Sequence, residues 1–354
     1  MNLESCVAKR SVSPLPLWER SDCIGDAIRV RGYALTMDLN PSPQPSPTGG
    51  EGAHRRCRDI ELLLQRVKLW LVALVLATTI LPARAQDRQN VVASFSILAD
   101  FVKNVGGERV SVTSLVGPNG DVHVYTPAPA DAKKVADAKL LVINGLGLEG
   151  WLPRLLQASG SKAPIVTATR GIAPLKFGSD ADPHAWQSVA NAKIYVANIL
   201  NALRAADPAD AAIFDGNAQA YQTKLDALDR EVRAAIAQIP QARRKVISTH
   251  DAFGYFAAAY GIEFIAPLGV STESEASARD IAGIITQIKA QKIPAVFMEN
   301  ISDPRLIERI SAETGARVRG TLYSDSLTDE KGAAPTYIEL VRHNIKTLTS
   351  ALAN

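Results

Sequence analysis

The sequence has 354 residues, of which 47% are hydrophobic and 21% charged, as in a globular protein with room for two domains. Its formal net charge of +3 comes from the N-terminal region. Residues 1–85 contain eleven Lys and Arg but eight Asp and Glu, so 28 basic and 28 acidic residues balance in the remainder. Because this remainder has no basic excess to neutralise phosphates, we expect no nucleic-acid partner.

Residues 1–65 have the composition of a non-native, disordered N-terminal extension. The stretch "NPSPQPSPTGGEG" at 40–52 is low in complexity and too polar to form a core. We hypothesise that translation naturally starts downstream, near Val67. All three cysteines of the chain precede residue 66, so disulfides and cysteine-ligated zinc are not expected beyond it. A metal ion would have to be bound by nitrogen and oxygen atoms.

Residues 66–85, "RVKLWLVALVLATTILPARA", are predicted to be a secretory signal peptide. A basic start is followed by the apolar run Leu69–Leu81 and by the small-x-small sequence that ends at Ala85. Thirteen residues are short for a membrane span of about 20, although a buried helix or a membrane anchor is the alternative interpretation. We expect cleavage after Ala85, a mature chain that begins at Gln86, and a periplasmic location. No cysteine follows the run to accept a lipid.

Residues 86–207 are predicted to form an N-terminal lobe. Short apolar runs alternate here with segments whose apolar residues recur at helical spacing, which favours βαβ units and a mostly parallel sheet. The predicted strands are 91–98, 110–116, 140–145 and 164–168, and the predicted helices are 99–107, 129–138 and 148–160.

Residues 208–239 predict one long helix, because this segment is rich in Ala, Gln and Leu and has no internal proline. Roughly 30 residues would extend about 45 Å, long enough to link two lobes. The alternating pattern then resumes in a C-terminal lobe over 240–354. Its predicted strands are 245–250, 262–269, 295–300 and 317–323, and its predicted helices are 251–261, 275–291, 303–315 and 335–353. The predicted fold is therefore α/β, with two lobes joined by a linking helix.

Three of the four histidines beyond residue 85 lie in loops of these units. His123 follows the strand that ends at 116, His184 precedes a helix starting near Trp186, and His250 ends the strand "KVISTH". Ligands of open α/β sheets bind beyond the carboxyl ends of the strands, so these three histidines are expected to meet in a cleft. His343 is expected to be solvated, on the polar face of the last helix.

Asp325, in "TLYSDSLTDE", follows the last predicted strand at the corresponding place in the second lobe. Three neutral imidazoles and one carboxylate complete a tetrahedral metal site, but Asp325 is also well placed to cap a turn. The same residue set describes a hydrolytic zinc site, in which Asp325 would act as a base. No HExxH motif or nucleophile pattern supports hydrolysis.

The sequence from about 90 to 354 resembles the ABC-transporter solute-binding proteins that capture zinc or manganese. "GDVHVYTPAPAD", "DPHAW", "THDAFGYFAAAYGI" and "YSDSL" are similar to the four ligand loops of that family. The resemblance implies a two-lobed binding protein, not an enzyme, with a membrane permease and an ATPase as partners; we expect a monomer. It implies the ligands His123, His184, His250 and Asp325.

A histidine at position 250 favours zinc in this family, whereas the lack of a His-rich acidic loop between His123 and His184 keeps manganese as the alternative. The sequence departs from the family pattern at Val122, Val124 and 187–188, where Gln and Ser replace Leu and Asp. Carboxylates are expected to orient the imidazole rings, and Asp182, Asp251 and Glu299 are the predicted partners. Because the rings bind metal when neutral, capture is expected to weaken below a pH of about 6.5.

Overall fold

The computed structural model describes residues 63–70, 88–293 and 295–353. The chain divides into two compact units, Met1–Pro82 and Ala83–Asn354. In the first unit, residues 63–70 form helix α1. The predicted cleavage site after Ala85, and nearly all of the predicted extension and signal core, lie outside the described residues. Among the helices that the structure describes, none has both the length and the apolar character to cross a bilayer.

The first sheet of the second unit has four parallel strands in the order β2-β1-β3-β4. Its helices begin with α2, and the predicted strand 91–98 is wrong at its end because α2 starts at Ser96. Every residue from Val91 to Val102 is buried, so the apolar run has no periodicity to mark the change from strand to helix. The elements are β1 (Gln89–Phe95), α2 (Ser96–Gly106), β2 (Val110–Val116), α3 (Pro129–Ala136), β3 (Leu140–Ile143), α4 (Leu152–Ser159), β4 (Ile165–Thr167) and α5 (Val189–Ala206).

The second sheet is also parallel, in the order β10-β9-β7-β8. The predicted strand 245–250 is shorter in the structure, although His250 still forms an isolated bridge with Leu268. The elements are β7 (Lys245–Ile247), α7 (Gly254–Tyr260), β8 (Glu263–Ile265), α8 (Ala278–Gln291), β9 (Ala295–Glu299), α9 (Arg305–Thr314), β10 (Arg317–Leu322) and α10 (Tyr337–Leu352). A short antiparallel hairpin, β5 (Lys176–Phe177) and β6 (Asp180–Ala181), precedes the His184 loop and was not predicted.

Helix α6 (Ala211–Ala237) links the two lobes. Its 27 residues would extend about 40 Å, close to the predicted length, and it starts after 208 because Pro208–Asp210 form a 3-10 turn capped by Asp207. The helix packs against α2 and α5 of the first lobe and α7 and α10 of the second. The buried side chains follow helical spacing on one face: Phe214, Ala218, Tyr221, Leu225, Leu228, Val232 and Ile236.

The apolar core is continuous between the lobes. One cluster of buried side chains contains residues of both sheets and of α6, whereas a second, smaller cluster lies within the second lobe. The smaller cluster joins the sheet to α8 and α9 through Ile247, Ile284, Ile288, Ile293, Val296, Ile307, Ile310 and Ala316. The layer formed by α8 and α9 therefore packs separately from the main core.

Candidate metal centre

Two ligand loops of the first lobe use the same local device, an aspartate two residues before the histidine. The backbone N–H of His123 donates to Asp121 Oδ1 at 2.8 Å, and that of His184 donates to Asp182 Oδ1 at 2.9 Å. Such an Asx turn fixes the backbone that carries the imidazole. Both "DVH" and "DPH" are visible in the sequence, but sequence analysis did not single out Asp121.

The His250 loop is held by Glu299, from the neighbouring strand β9. Glu299 Oε1 accepts the backbone N–H groups of Thr249 and His250 at 2.8 and 2.9 Å. Its Oε2 lies 2.6 Å from His250 Nδ1, which is ion-pair distance, although this contact lacks regular hydrogen-bond geometry. The buried Glu299 thus positions both the backbone and the ring of His250.

Asp325 is attached to the opposite lobe through the residue before it. The carbonyl oxygen of Ser324 accepts hydrogen bonds from Trp186 Nε1 at 2.9 Å and from Gln187 Nε2 at 2.7 Å. Gln187 is one of the departures from the family pattern, and this contact gives it a structural role. The Asp325 loop of the second lobe and the His184 loop of the first are therefore joined directly.

The four predicted ligand side chains come together in the structure. Asp325 Oδ2 lies 3.1, 3.6 and 3.2 Å from the Nε2 atoms of His123, His184 and His250, and the first two Nε2 atoms are 3.3 Å apart. Four ligands at about 2.1 Å from a tetrahedral ion would be separated by about 3.4 Å. The donor atoms thus have the spacing of a single four-coordinate ion.

The centre is closed to solvent and contains unsatisfied polar atoms. His184, His250 and Asp325 are 0% exposed, and His123 is 6% exposed. Within the described residues, His250 Nε2 and Asp325 Oδ1 have no regular hydrogen-bond partner. Burying such groups without partners is costly, so the donor set fits a bound cation better than a structural hydrogen-bond cluster.

The charges of the cluster shift the pKa values of its members strongly. Burial alone would lower the pKa of His184, but the negative charge of Asp325 and the hydrogen bond of Nδ1 to Asp182 (2.8 Å) raise it to about 9. Likewise, Glu299 and Asp325 outweigh burial and raise the pKa of His250 well above its usual value. Despite burial, the two imidazoles hold the pKa of Asp325 well below its usual value.

The remaining predicted side chains have different surroundings. Asp182 and Glu299 contact the rings of His184 and His250, as the sequence predicts. Among the described hydrogen bonds, none joins Asp251 to a ring; burial and the nearby charge of Asp182 raise its pKa. His343 is half-buried, with Nε2 3.0 Å from the carbonyl oxygen of Thr321, so the prediction of a solvated side chain is wrong.

Glu299→Gln is expected to weaken divalent-metal binding by about 10- to 100-fold, the usual effect of removing a carboxylate that orients a ligating histidine. The amide keeps the shape of the side chain but loses the negative charge beside His250 Nδ1. A competitive titration against a metal-binding dye measures the effect. The matched control is Glu231→Gln, which breaks an exposed ion pair with Arg342. Equal affinities for both variants would contradict the role of Glu299.

Comparison with known proteins places these features in one family. The family model described as "Zinc-uptake complex component A periplasmic" matches residues 91–351. This chain belongs to that family. The match spans both sheets, the linking helix and all four loops of the centre.

Relatives of known function differ in the metal that their names carry. The iron-binding protein YfeA of Yersinia pestis is 36% identical over 272 residues, covering 75% of this chain and 87% of that protein. The zinc-binding protein TroA of Treponema pallidum is 34% identical over 280 residues, covering 77% and 91%. The solved periplasmic zinc-binding TroA has a TM-score of 0.73 and covers 75% of this chain and all of its own. A manganese-bound periplasmic protein of Candidatus Liberibacter asiaticus has 31% identity and a TM-score of 0.70, covering 75% of this chain and all of its own.

Members of this family are solute-binding components of metal ABC transporters and not enzymes. They work with a membrane permease and an ATPase and bind metal ions. The two-lobed α/β fold and the linking helix predicted from the sequence are confirmed. The alternative of a zinc hydrolase has no support from the relatives.

Proposed function

We propose that this protein captures one divalent transition-metal ion, preferentially zinc, and delivers it to an ABC importer. The ion is bound by Nε2 of His123, His184 and His250 and by a carboxylate oxygen of Asp325. The observation that carries the proposal is the spacing of these four buried atoms, which matches a tetrahedral ion. Because the ligands come from both lobes, a bound ion would hold the lobes together.

The donor set favours zinc over manganese. Three imidazole nitrogens and one oxygen form the four-coordinate set that zinc accepts, whereas manganese prefers more oxygen ligands. At a nitrogen-rich site the Irving–Williams order also gives zinc the higher affinity. One observation supports manganese as the second candidate: Asp325 Oδ1 has no hydrogen-bond partner among the described residues and is free to act as a fifth ligand.

The proposal includes the location and processing of the chain. The protein acts in the periplasm as a monomer, after removal of a signal peptide at Ala85. The mature chain would comprise an N-terminal lobe over 86–207, the linking helix segment 208–239 and a C-terminal lobe over 240–354. Residues 1–65 would take no part in function.

Zinc is expected to stabilise the metal-free protein strongly. A ligand that binds the folded state alone contributes about 4 kcal/mol at a thousand times its dissociation constant, which corresponds to an increase of about 10 °C in Tm for a chain of this size. Thermal unfolding with zinc, manganese(II) or iron(II) measures this, and direct competition between the metals then gives their order. Zinc should produce the largest shift; no shift with any of the three would contradict metal capture.

A further inference from the structure

The four donor atoms are buried, so an ion that binds them must first pass through another part of the protein. A cavity of about 450 Å³ lies beside the centre, between the 268–276 loop, the loop after β9 and helix α9. Its lining includes Asp121, two residues before His123, and Thr249, directly before His250. The cavity therefore reaches the chain segments that carry two of the four donors.

The inner part of this cavity contains hydroxyl groups without partners. Thr249 is 2% exposed and is the most buried residue of the lining. Its Oγ1 and the Oγ of Ser302 have no hydrogen-bond partner among the described residues. Buried hydroxyls are ordinarily satisfied by protein or by ordered water, so these two groups indicate a polar occupant.

The mouth of the cavity is acidic and is closed by the 268–276 loop. Thr272 on this loop donates to Asp121 Oδ2 at 2.6 Å, which is the contact of the loop with the first lobe, and Glu275 lies exposed at the rim. The positive charges of the rim are compensated, because Arg305 pairs with Asp303 and Arg309 pairs with Glu313.

The geometry points to a docking site for a hydrated divalent cation in this cavity, from which the ion enters and leaves the buried centre. This inference rests on the proposed function. An ion with six waters, each occupying about 30 Å³, needs about 180 Å³, and the cavity is large enough to hold it. Its water ligands would donate to the carboxylates of Asp121 and Glu275 and to the free hydroxyls of Thr249 and Ser302. Carboxylates and hydroxyls suit a cation that keeps its water, whereas the imidazoles of the centre require one that has lost it.

A site on the route of the ion changes the rates of exchange and not the equilibrium. Ser274→Phe places a bulky side chain on an exposed lining residue, Glu275→Gln removes the charge at the rim, and Thr249→Val removes the unpartnered hydroxyl without changing its shape. The matched control is Ser350→Phe, also at an exposed residue but in a separate cavity beside α10.

The experiment measures zinc association by stopped flow, and dissociation into excess chelator, on the full chain and each variant. Ser274→Phe and Glu275→Gln should each slow both rates by about tenfold and leave Kd within twofold, and Thr249→Val should slow both in the same direction. Ser350→Phe should change neither rate. Unchanged rates in Ser274→Phe, or a weaker Kd with unchanged association, would overturn the inference. Failure of the unmodified protein to bind zinc would instead contradict the proposed function itself.

Discussion

His184→Ala is expected to weaken divalent-metal binding by about 3 kcal/mol, or more than 100-fold. Four protein ligands together provide about 10–16 kcal/mol for a zinc ion at neutral pH, so the loss of one is expected to cost roughly a quarter of that amount. His184 is completely buried and its Nδ1 is held by Asp182, so no other described side chain is positioned to replace its Nε2. Competition against a chelator of known affinity measures the loss.

The control for this prediction is His343→Ala, which removes a half-buried imidazole on α10 that takes no part in the centre. Its affinity for zinc should equal that of the unmodified protein. Thermal unfolding without metal checks that both variants remain folded. Affinity in His184→Ala within a few-fold of the unmodified protein would remove His184 from the ligand set.

Metal affinity is expected to fall by about 100-fold for each unit decrease in pH between pH 8 and 7. The pKa of His184 is raised to about 9 and that of His250 is raised well above its usual value, so both rings carry a proton in the metal-free protein at neutral pH. The metal binds neutral imidazole, and each displaced proton lowers the affinity tenfold per pH unit. The sequence-based expectation of weakening below a pH of about 6.5 is therefore too low, because it assumed an unperturbed imidazole.

The same shift affects the stability of the metal-free protein in the opposite direction. The folded-state pKa of His184 lies above its unfolded value of about 6.5, so protonated His184 stabilises the fold fully below that pH. This contribution, about 3 kcal/mol, is lost as the pH rises from about 6.5 to about 9. Neutral imidazoles thus bind metal well but leave Asp325 without a counter-charge in its absence.

Isothermal titration of zinc into the protein in buffers of different ionisation enthalpy counts the released protons. We expect about two protons per zinc at pH 7, and dissociation constants measured from pH 6.5 to 8.5 should show the matching slope. Release of no protons, with a pH-independent affinity, would show that the imidazoles are neutral before the metal binds.

The sequence predicts the fold well where local patterns are distinct. The strand at 110–116 agrees in both bounds, and the linking helix agrees within three residues, because one is bounded by turn residues and the other has a single long apolar face. The predicted strand at 91–98 fails at its end, since residues buried on all sides show no periodicity. The β5–β6 hairpin is missed because two-residue strands leave no pattern to detect.

The site is predictable from strand ends and residue types, but the charges within it are not. His123, His184 and His250 follow predicted strands or precede a predicted helix, so their convergence follows from the topology of parallel sheets. The sequence cannot show that Glu299 lies 2.6 Å from His250 Nδ1 or that Asp325 lies between two imidazoles. These distances raise the imidazole pKa values, and they depend on tertiary packing between the lobes.

The most direct test of the metal centre is anomalous diffraction at the zinc absorption edge from crystals of the zinc-loaded protein. One peak is predicted at about 2.0–2.2 Å from Nε2 of His123, His184 and His250 and from a carboxylate oxygen of Asp325. A peak bound by residues of one lobe alone, or one that leaves any of the three imidazoles unbound, would contradict a single ion shared between the lobes.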